Sequence, residues 1–82
     1  MKRVEVIAAM TAAFGERVIP SSLMQFERNE IVISTMLYFV QIPYSKVSEI
    51  ESEDEYFVIR TTGGVFYIID HINFRMTTGC YG

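Results

Sequence analysis

The chain contains 82 residues, half of them hydrophobic, with a formal net charge of −3 and one cysteine. This length corresponds to a single domain with a thin core, and the large apolar share favours self-association or a protein partner. The negative charge and the scattered Lys and Arg residues argue against binding to nucleic acid or to an acidic membrane surface. A single cysteine excludes an internal disulfide and is typical of a cytoplasmic protein, and no apolar run approaches the roughly 18–20 residues of a membrane-spanning helix.

An N-terminal helix is predicted over about residues 3–14, because apolar side chains repeat there with helical spacing. The face of this helix that should pack on a sheet contains Val4, Ile7, Thr11 and Phe14. Gly15 follows the last of these residues and suits the C-terminal cap. The alternation over residues 4–6 also fits a strand, which is the alternative for the start of this segment.

A curved antiparallel sheet of about five strands is predicted over about residues 22–70. Its strands fall at residues 23–27, 30–35, 47–51, 56–61 and 65–70, and residues 36–42 either continue the second strand past a bend or form another. Arg28-Asn29 suits a two-residue turn, and Pro43 ends the strand that precedes it because proline cannot donate a ladder hydrogen bond. Residues 77–82 contain two glycines and are expected to form a loose tail.

The clearest element is a β-hairpin formed by Tyr56–Thr61 and Val65–Asp70, which flank Thr62-Gly63-Gly64. Both strands are rich in Val, Ile, Tyr and Phe, and the glycine pair suits a tight reversal. Apolar residues occupy both faces of the hairpin, whereas a sheet with one solvated face would alternate apolar and polar residues. The expected fold class is therefore α+β, with the helix covering one face and barrel closure or another subunit covering the other.

An acidic segment precedes the hairpin and has five carboxylates in seven positions: Glu49, Glu51, Glu53, Asp54 and Glu55. On a strand the first three share one face. They form a solvated edge that discourages pairing with another sheet, a cation site, or a surface that imitates nucleic-acid phosphates and binds a basic partner. The loop residues that usually accompany Ca²⁺ ligands are absent, which favours the partner surface over the cation site. Together with Tyr56 and Tyr67, whose rings suit a contact surface, they are the candidate partner-binding residues.

No arrangement of residues indicates catalysis, a cofactor or a metal ion. Asp70 and His71 are adjacent and Cys80 follows nine residues later, whereas zinc sites usually show paired, closely spaced ligands. We expect Asp70 and His71 to end a strand in water and Cys80 to lie in the tail. Phosphate-binding loops of the GxGxxG or GxxxxGKS kind and the GxSxG motif are absent, so we predict a non-catalytic protein without cofactors.

Residues 41–50 (QIPYSKVSEI) resemble a pattern of bacterial PH-like domains, in which a strand ends, "I-P-Y-S-K-I" turns a corner and an isoleucine three residues later begins the next strand. Val47 and Ile50 occupy the two aliphatic places. The resemblance covers roughly residues 23–70 and implies a partial PH-like barrel. It also implies a role in interaction or assembly, since bacterial PH-like domains look like such modules rather than enzymes.

A second, partial similarity is to LytTR-type DNA-binding domains, and it is carried by Val47, Ile50-Glu51-Ser52, Tyr56, Ile59, Thr61 and Gly64. That family continues into a helix and a basic strand with "H-R-S", and residues 65–82 contain no such segment. The nucleic-acid binding that this similarity implies would need four basic residues to converge on one face: Arg28, Lys46, Arg60 and Arg75.

The leading hypothesis is a protein-interaction or assembly module that self-associates through apolar sheet surface or an edge strand. One form of such a module is an inhibitor of a larger machine. The expected partners are further copies of the chain and another protein, and not nucleic acid. One alternative is a small-ligand-binding barrel, which would need a well-formed cavity beside Tyr38 and Tyr67. The other is the nucleic-acid binding that the LytTR similarity implies.

Overall fold

The computed structural model describes residues 1–81, which form one α-helix and two antiparallel sheets. The elements in chain order are α1 (Arg3–Phe14), β1 (Met24–Phe26), β2 (Glu30–Ser34), β3 (Phe39–Pro43), a 3₁₀ turn (Tyr44–Lys46), β4 (Val47–Ser52), β5 (Tyr56–Thr61), β6 (Val65–Asp70) and β7 (Met76–Cys80). The first sheet has the order β1-β2-β3 and the second sheet has the order β4-β5-β6-β7. The predicted α+β class with an N-terminal helix is confirmed. The expectation of about five strands is wrong, since the described residues form seven strands in two sheets that remain open rather than closing into a barrel.

Helix α1 has the predicted bounds, and both of its ends are capped. Glu5 Oε1 accepts a hydrogen bond from the backbone nitrogen of Lys2 at 2.9 Å, which satisfies a free donor of the first turn. Gly15 has φ +63°, and its N–H donates to the carbonyls of Thr11 and Ala12. Because residues with a Cβ atom rarely adopt that φ, glycine suits this end of the helix.

The buried face of α1 differs from the predicted one. Its buried residues are Val6, Met10, Ala13 and Phe14, whereas Val4 and Thr11 are exposed. Both sets of residues have helical spacing, and the four alanines make this helix apolar around most of its circumference. The choice of face therefore depends on tertiary packing, in which Phe14 contacts Phe57 with ring centroids 5.4 Å apart.

The hairpin β5–β6 has the predicted strands and turn, with Gly64 at φ +86°. Residues 36–42 do not continue β2, because the chain reverses between Thr35 and Tyr38. The N–H of Thr35 donates to the Tyr38 carbonyl at 2.7 Å, and β3 then returns alongside β2. Pro43 is the last residue of β3, as predicted.

Strand β7 occupies residues for which the sequence predicted a loose tail. The prediction for residues 77–82 is wrong over 77–80, because Met76–Cys80 pairs with β6. The N–H of Tyr81 extends this pairing by donating to the Gly64 carbonyl at 3.0 Å. Gly82 lies outside the described residues. The two threonines favour a strand but Gly79 weakens that signal, so the sheet edge offered by β6 decides the structure of this segment.

Helix α1 covers only one side of the two sheets. It packs against β4, and Arg3 donates from Nε and Nη2 to the carbonyls of Glu27 and Phe26 at 3.1 and 3.2 Å, at the end of β1. On the other side, β3 and β7 are the remaining edge strands. No strand pairing joins them within residues 1–81. We call the gap between β3 and the β6–β7 hairpin the open seam.

The corner between the sheets is built by the residues that carry the PH-like resemblance. Ile42 and Val47 are buried on either side of the 3₁₀ turn. Tyr44 is buried between them, and its hydroxyl donates to the Glu27 carbonyl at 2.6 Å. Burial raises the pKa of Tyr44 above its ordinary value, so this hydroxyl remains a donor at neutral pH. Tyr44 thus connects the corner to the β1–β2 turn, and this contact is a structural reason for the sequence pattern of the segment.

Candidate interaction surfaces

The acidic segment lies on β4 and in the β4–β5 turn. Glu49 and Glu51 face Arg60 and Val58 across the ladder and therefore lie on the outer face of the second sheet. The remaining carboxylates are in or beside the turn, where they are exposed: Glu53, Asp54 and Glu55. The turn is closed by the N–H of Glu53, which donates to the Tyr56 carbonyl at 2.8 Å.

Glu51 is the member of the acidic segment that already has a partner. Its two carboxylate oxygens accept from Arg60 Nε and Nη2 at 3.0 and 3.2 Å. These hydrogen bonds hold the pKa of Glu51 below its ordinary value of 4.5. Glu51 is therefore less free to bind a basic partner than the exposed carboxylates around it.

The aromatic residues predicted for this surface are divided between two faces. Tyr56 is exposed and lies opposite Asp70, at the same end of the sheet as the acidic turn. Tyr67 pairs with Ile59, a core residue, and so lies on the inner face. The structure thus brings Tyr56 together with the acidic segment and separates Tyr67 from it.

An arginine–aromatic cluster covers part of the outer face. The Arg60 guanidinium lies 5.2 Å from the Tyr81 ring centroid and 5.9 Å from that of Phe66. The two rings are 5.2 Å apart. Phe66 lies over Gly79, where a Cβ atom would be 2.3 Å from the ring. Tyr81 and Arg60 thus cover, within one chain, apolar surface that the sequence analysis assigned to barrel closure or another subunit.

The Glu51–Arg60 pair gives a prediction for the pH dependence of stability. Because the pKa of Glu51 is lowered by folding, the pair stabilises the fold above the unfolded pKa of this carboxyl, and this contribution is lost as the pH falls through the folded pKa. We expect the difference in free energy of unfolding between the wild type and Glu51→Gln to be small at about pH 7, since the pair is partly exposed, and to disappear near about pH 3. Urea denaturation at both pH values measures this difference. Glu53→Gln, an exposed carboxylate of the same segment, is the control, and an equal pH dependence in both variants would contradict the prediction.

The most exposed apolar surface was missed by the sequence analysis. At the β2–β3 turn, Met36 is fully exposed, Leu37 is 86% exposed and Phe39 is 65% exposed. Tyr38 between them is 44% exposed. We call these residues the apolar tip. They were interpreted as part of a strand, and the signal that could have revealed the turn is Ser34-Thr35, two residues that favour turns, before them.

Two clefts lie along the open seam. The larger, of about 620 Å³, is bounded by the apolar tip and by residues 73–77 at the β6–β7 connection. The smaller, of about 290 Å³, lies between Ile42, Lys46 and Tyr67. We call them the Tyr38 cleft and the Tyr67 cleft, after the tyrosine that lines each.

A backbone conformation that is uncommon for residues other than glycine occurs in the wall of the Tyr38 cleft. Phe74 has φ +52° and is the one non-glycine residue with positive φ in the described chain. Asp70 shapes the same connection, because its Oδ1 accepts from the backbone nitrogens of Ile72 and Asn73 at 2.7 and 3.2 Å. These bonds lower the pKa of Asp70, so the carboxylate holds the loop in place at neutral pH.

The residues considered for catalysis are not assembled into a site. His71 is only 5% exposed, contrary to the expectation that it ends a strand in water, and its ring packs against Phe14 and Phe57. Within residues 1–81 its Nδ1 atom has no hydrogen-bond partner. Cys80 pairs with Val65 at the opposite end of β6 and lies in β7 rather than in a tail. The described residues contain no group of three ligand side chains placed to hold a metal ion.

The basic residues considered for nucleic-acid binding lie on separate elements. Arg28 is in the β1–β2 turn, Lys46 in the 3₁₀ turn and Arg75 in the β6–β7 connection. Arg60 is held by Glu51 on the outer face.

No helix within residues 1–81 is long and apolar enough to cross a membrane.

Comparison with known proteins leaves the family open. No protein-family model matches the chain, and no curated protein or solved structure is significantly similar to it.

Proposed function

We propose that this chain is a non-catalytic protein-interaction module that self-associates through apolar surface of its first sheet. The observation that carries the proposal is the apolar tip, in which large apolar side chains stand consecutively in water, with Leu37 86% exposed. Single exposed apolar residues are ordinary, but a consecutive run of this kind is a feature of surfaces that are covered by another molecule. A second copy of the chain offers the same tip, so a two-fold contact between tips covers both.

The acidic segment supplies a second contact surface in this proposal. Glu53, Asp54 and Glu55 are exposed at one end of the second sheet, next to the exposed Tyr56. Carboxylates around an aromatic ring suit a basic protein surface, because charge complementarity guides association and the ring supplies contact area. An inhibitor that occupies a basic surface of a larger machine is one form of this function. The PH-like resemblance of residues 41–50 points to the same class of module.

Self-association is tested by the mass in solution, measured by light scattering after size exclusion over a dilution series. We expect the wild type to form a dimer or larger species at high concentration and the double variant Met36→Ser/Leu37→Ser to remain a monomer. The physical reason is that the double variant removes two of the apolar side chains that the contact would cover.

Val18→Ser is the matched control, because Val18 is 87% exposed and lies outside the apolar tip. It should leave the mass of the wild type unchanged. A wild type that is monomeric at every concentration, or a double variant with the mass of the wild type, would contradict self-association through the tip.

A small-ligand site is the second candidate function, and the two clefts favour it. One of them lies beside Tyr38 and the other beside Tyr67, the two tyrosines expected to line such a site. The Tyr38 cleft has the volume of ordinary ligand pockets, which is about 300–1,000 Å³. Both clefts open along the seam between the sheets, however, which suits an elongated occupant better than a compact one.

A further inference from the structure

The open seam is bordered by two strand edges. Strand β3 pairs only with β2, and β7 pairs only with β6, within residues 1–81. Both strands begin near the Tyr38 cleft, at Phe39 and Met76, and run toward the opposite end of the fold, so they have the same direction. In an antiparallel ladder, alternate residues of an edge strand direct N–H and C=O groups away from the neighbour. Each edge therefore presents a row of backbone donors and acceptors, β3 beside the Tyr67 cleft and β7 beside the Tyr38 cleft.

The other two edge strands, β1 and β4, are protected, whereas β3 and β7 are not. Strand β4 has an irregular register between Val47 and Glu49, has carboxylates on its outer face and is covered by α1. The end of β1 is held by Arg3. Proteins commonly blunt edge strands with charges, bulges and proline. Strand β7, with the sequence MTTGC, has none of these, and β3 has a proline only at its last position.

The charges along the seam select the kind of segment that can pair there. Lys46 lines the Tyr67 cleft and Arg75 lines the Tyr38 cleft. No Asp or Glu lines either cleft among the described residues, although the chain has 10 acidic residues and a net charge of −3. The seam is thus a locally basic groove in an acidic protein, and acidic side chains are the complement of that charge.

We propose that the open seam binds an extended acidic segment of a partner protein, which adds as an antiparallel strand to the free edge of β7. The inference rests on the proposed function as an interaction module and identifies the chemistry of one partner. Backbone hydrogen bonds to the five-residue edge of β7 hold the segment, its apolar side chains enter the clefts, and its carboxylates face Lys46 and Arg75.

The test is selection from a phage-displayed library of random peptides long enough to span the five residues of β7. The selected peptides should be enriched in Asp and Glu alternating with apolar residues. A synthetic peptide of the best sequence should bind the wild type in fluorescence anisotropy. N-methylation of alternate backbone nitrogens in that peptide should abolish binding, because it removes strand-pairing donors while leaving the carboxylates in place.

Charge variants of the protein locate the site. Lys46→Glu and Arg75→Glu should each weaken binding of the selected peptide by about tenfold or more, since each places a like charge beside its carboxylates. Arg28→Glu is the control, because Arg28 is exposed in the β1–β2 turn and lines neither seam cleft. It should leave the affinity unchanged. Amide hydrogen exchange of β7 should slow in the complex.

Several outcomes would overturn the inference: no enriched peptides, enriched peptides without acidic residues, affinity insensitive to Lys46→Glu and Arg75→Glu, or full affinity after N-methylation. The failure of this inference is separable from that of self-association. A concentration-dependent mass that responds to the Met36→Ser/Leu37→Ser variant, without a selected peptide, would overturn the seam site alone. A monomeric wild type that binds the acidic peptide would overturn self-association alone.

Discussion

Replacement of Phe57 by alanine is expected to lower the free energy of unfolding by about 3–5 kcal/mol, a large part of the total stability of a small domain. Phe57 is fully buried at the point where the helix, β5 and the β6–β7 connection meet. Its ring lies 5.4 Å from the Phe14 centroid and 5.5 Å from that of His71. The alanine variant leaves a cavity there and removes the ring contacts that Phe57 makes with Phe14 and His71.

Urea denaturation followed by circular dichroism measures this change. Val18→Ala is the control, since it shortens an apolar side chain that is 87% exposed and lies outside the apolar tip. We expect the control to change the free energy of unfolding by less than about 0.5 kcal/mol. Equal effects of the two substitutions would show that Phe57 does not lie in the core.

Replacement of Gly79 by alanine is expected to cost about 1–3 kcal/mol through overpacking. The added methyl carbon would lie 2.3 Å from Phe66 Cζ, and two further ring carbons would be within 2.9 Å. The rigid ring must then leave β7 and lose its contacts with Tyr81 and Arg60. The variant should therefore lower the denaturation midpoint and loosen the edge strand that borders the open seam.

Gly63→Ala is the control for this substitution, because nothing lies within 4 Å of the position of its Cβ. It should be neutral within about 0.5 kcal/mol. A second comparison isolates the ring: in a Phe66→Ala background, Gly79→Ala should cost much less than in the wild type. A cost that is unchanged by removing Phe66 would contradict this explanation.

The elements predicted correctly have strong local signals. The hairpin β5–β6 combines strand-forming residues with a glycine pair, and α1 combines helical spacing with Gly15 at its end. Such signals act over a few residues and need no knowledge of the rest of the chain. The turn at Arg28-Asn29 belongs to this group, since the N–H of Glu27 donates to the Glu30 carbonyl across it.

The errors occur where local signals are weak or ambiguous. Both faces of α1 are apolar enough to be buried, and the contact of Phe14 with Phe57 selects one of them. Strand β7 contains Gly79, which weakens its local strand signal, and it forms by pairing with the edge of β6. These outcomes depend on residues far apart in sequence, so periodicity over a short window could not predict them.

In the candidate site, too, some features follow from local sequence and others depend on tertiary contacts. The acidic segment is visible in the sequence as a cluster of charges, and the structure keeps most of it exposed beside Tyr56. Its separation from Tyr67 follows from the register of β5 and β6, since residues paired across the ladder share a face. The apolar tip depends on a chain reversal at Thr35, which moves Met36 and Leu37 from an expected strand into solvent.

The sequence by itself determined the α+β class, the extent of α1, the central hairpin and the position of the acidic charges, because each follows from side-chain chemistry within a short stretch of chain. The tertiary structure alone decided which face of α1 is buried, that two open sheets replace one, and that the seam between β3 and β7 carries cations and unpaired edges. The physical reason is that burial and strand pairing are properties of two surfaces in contact. Neither surface specifies its partner from its own residues alone.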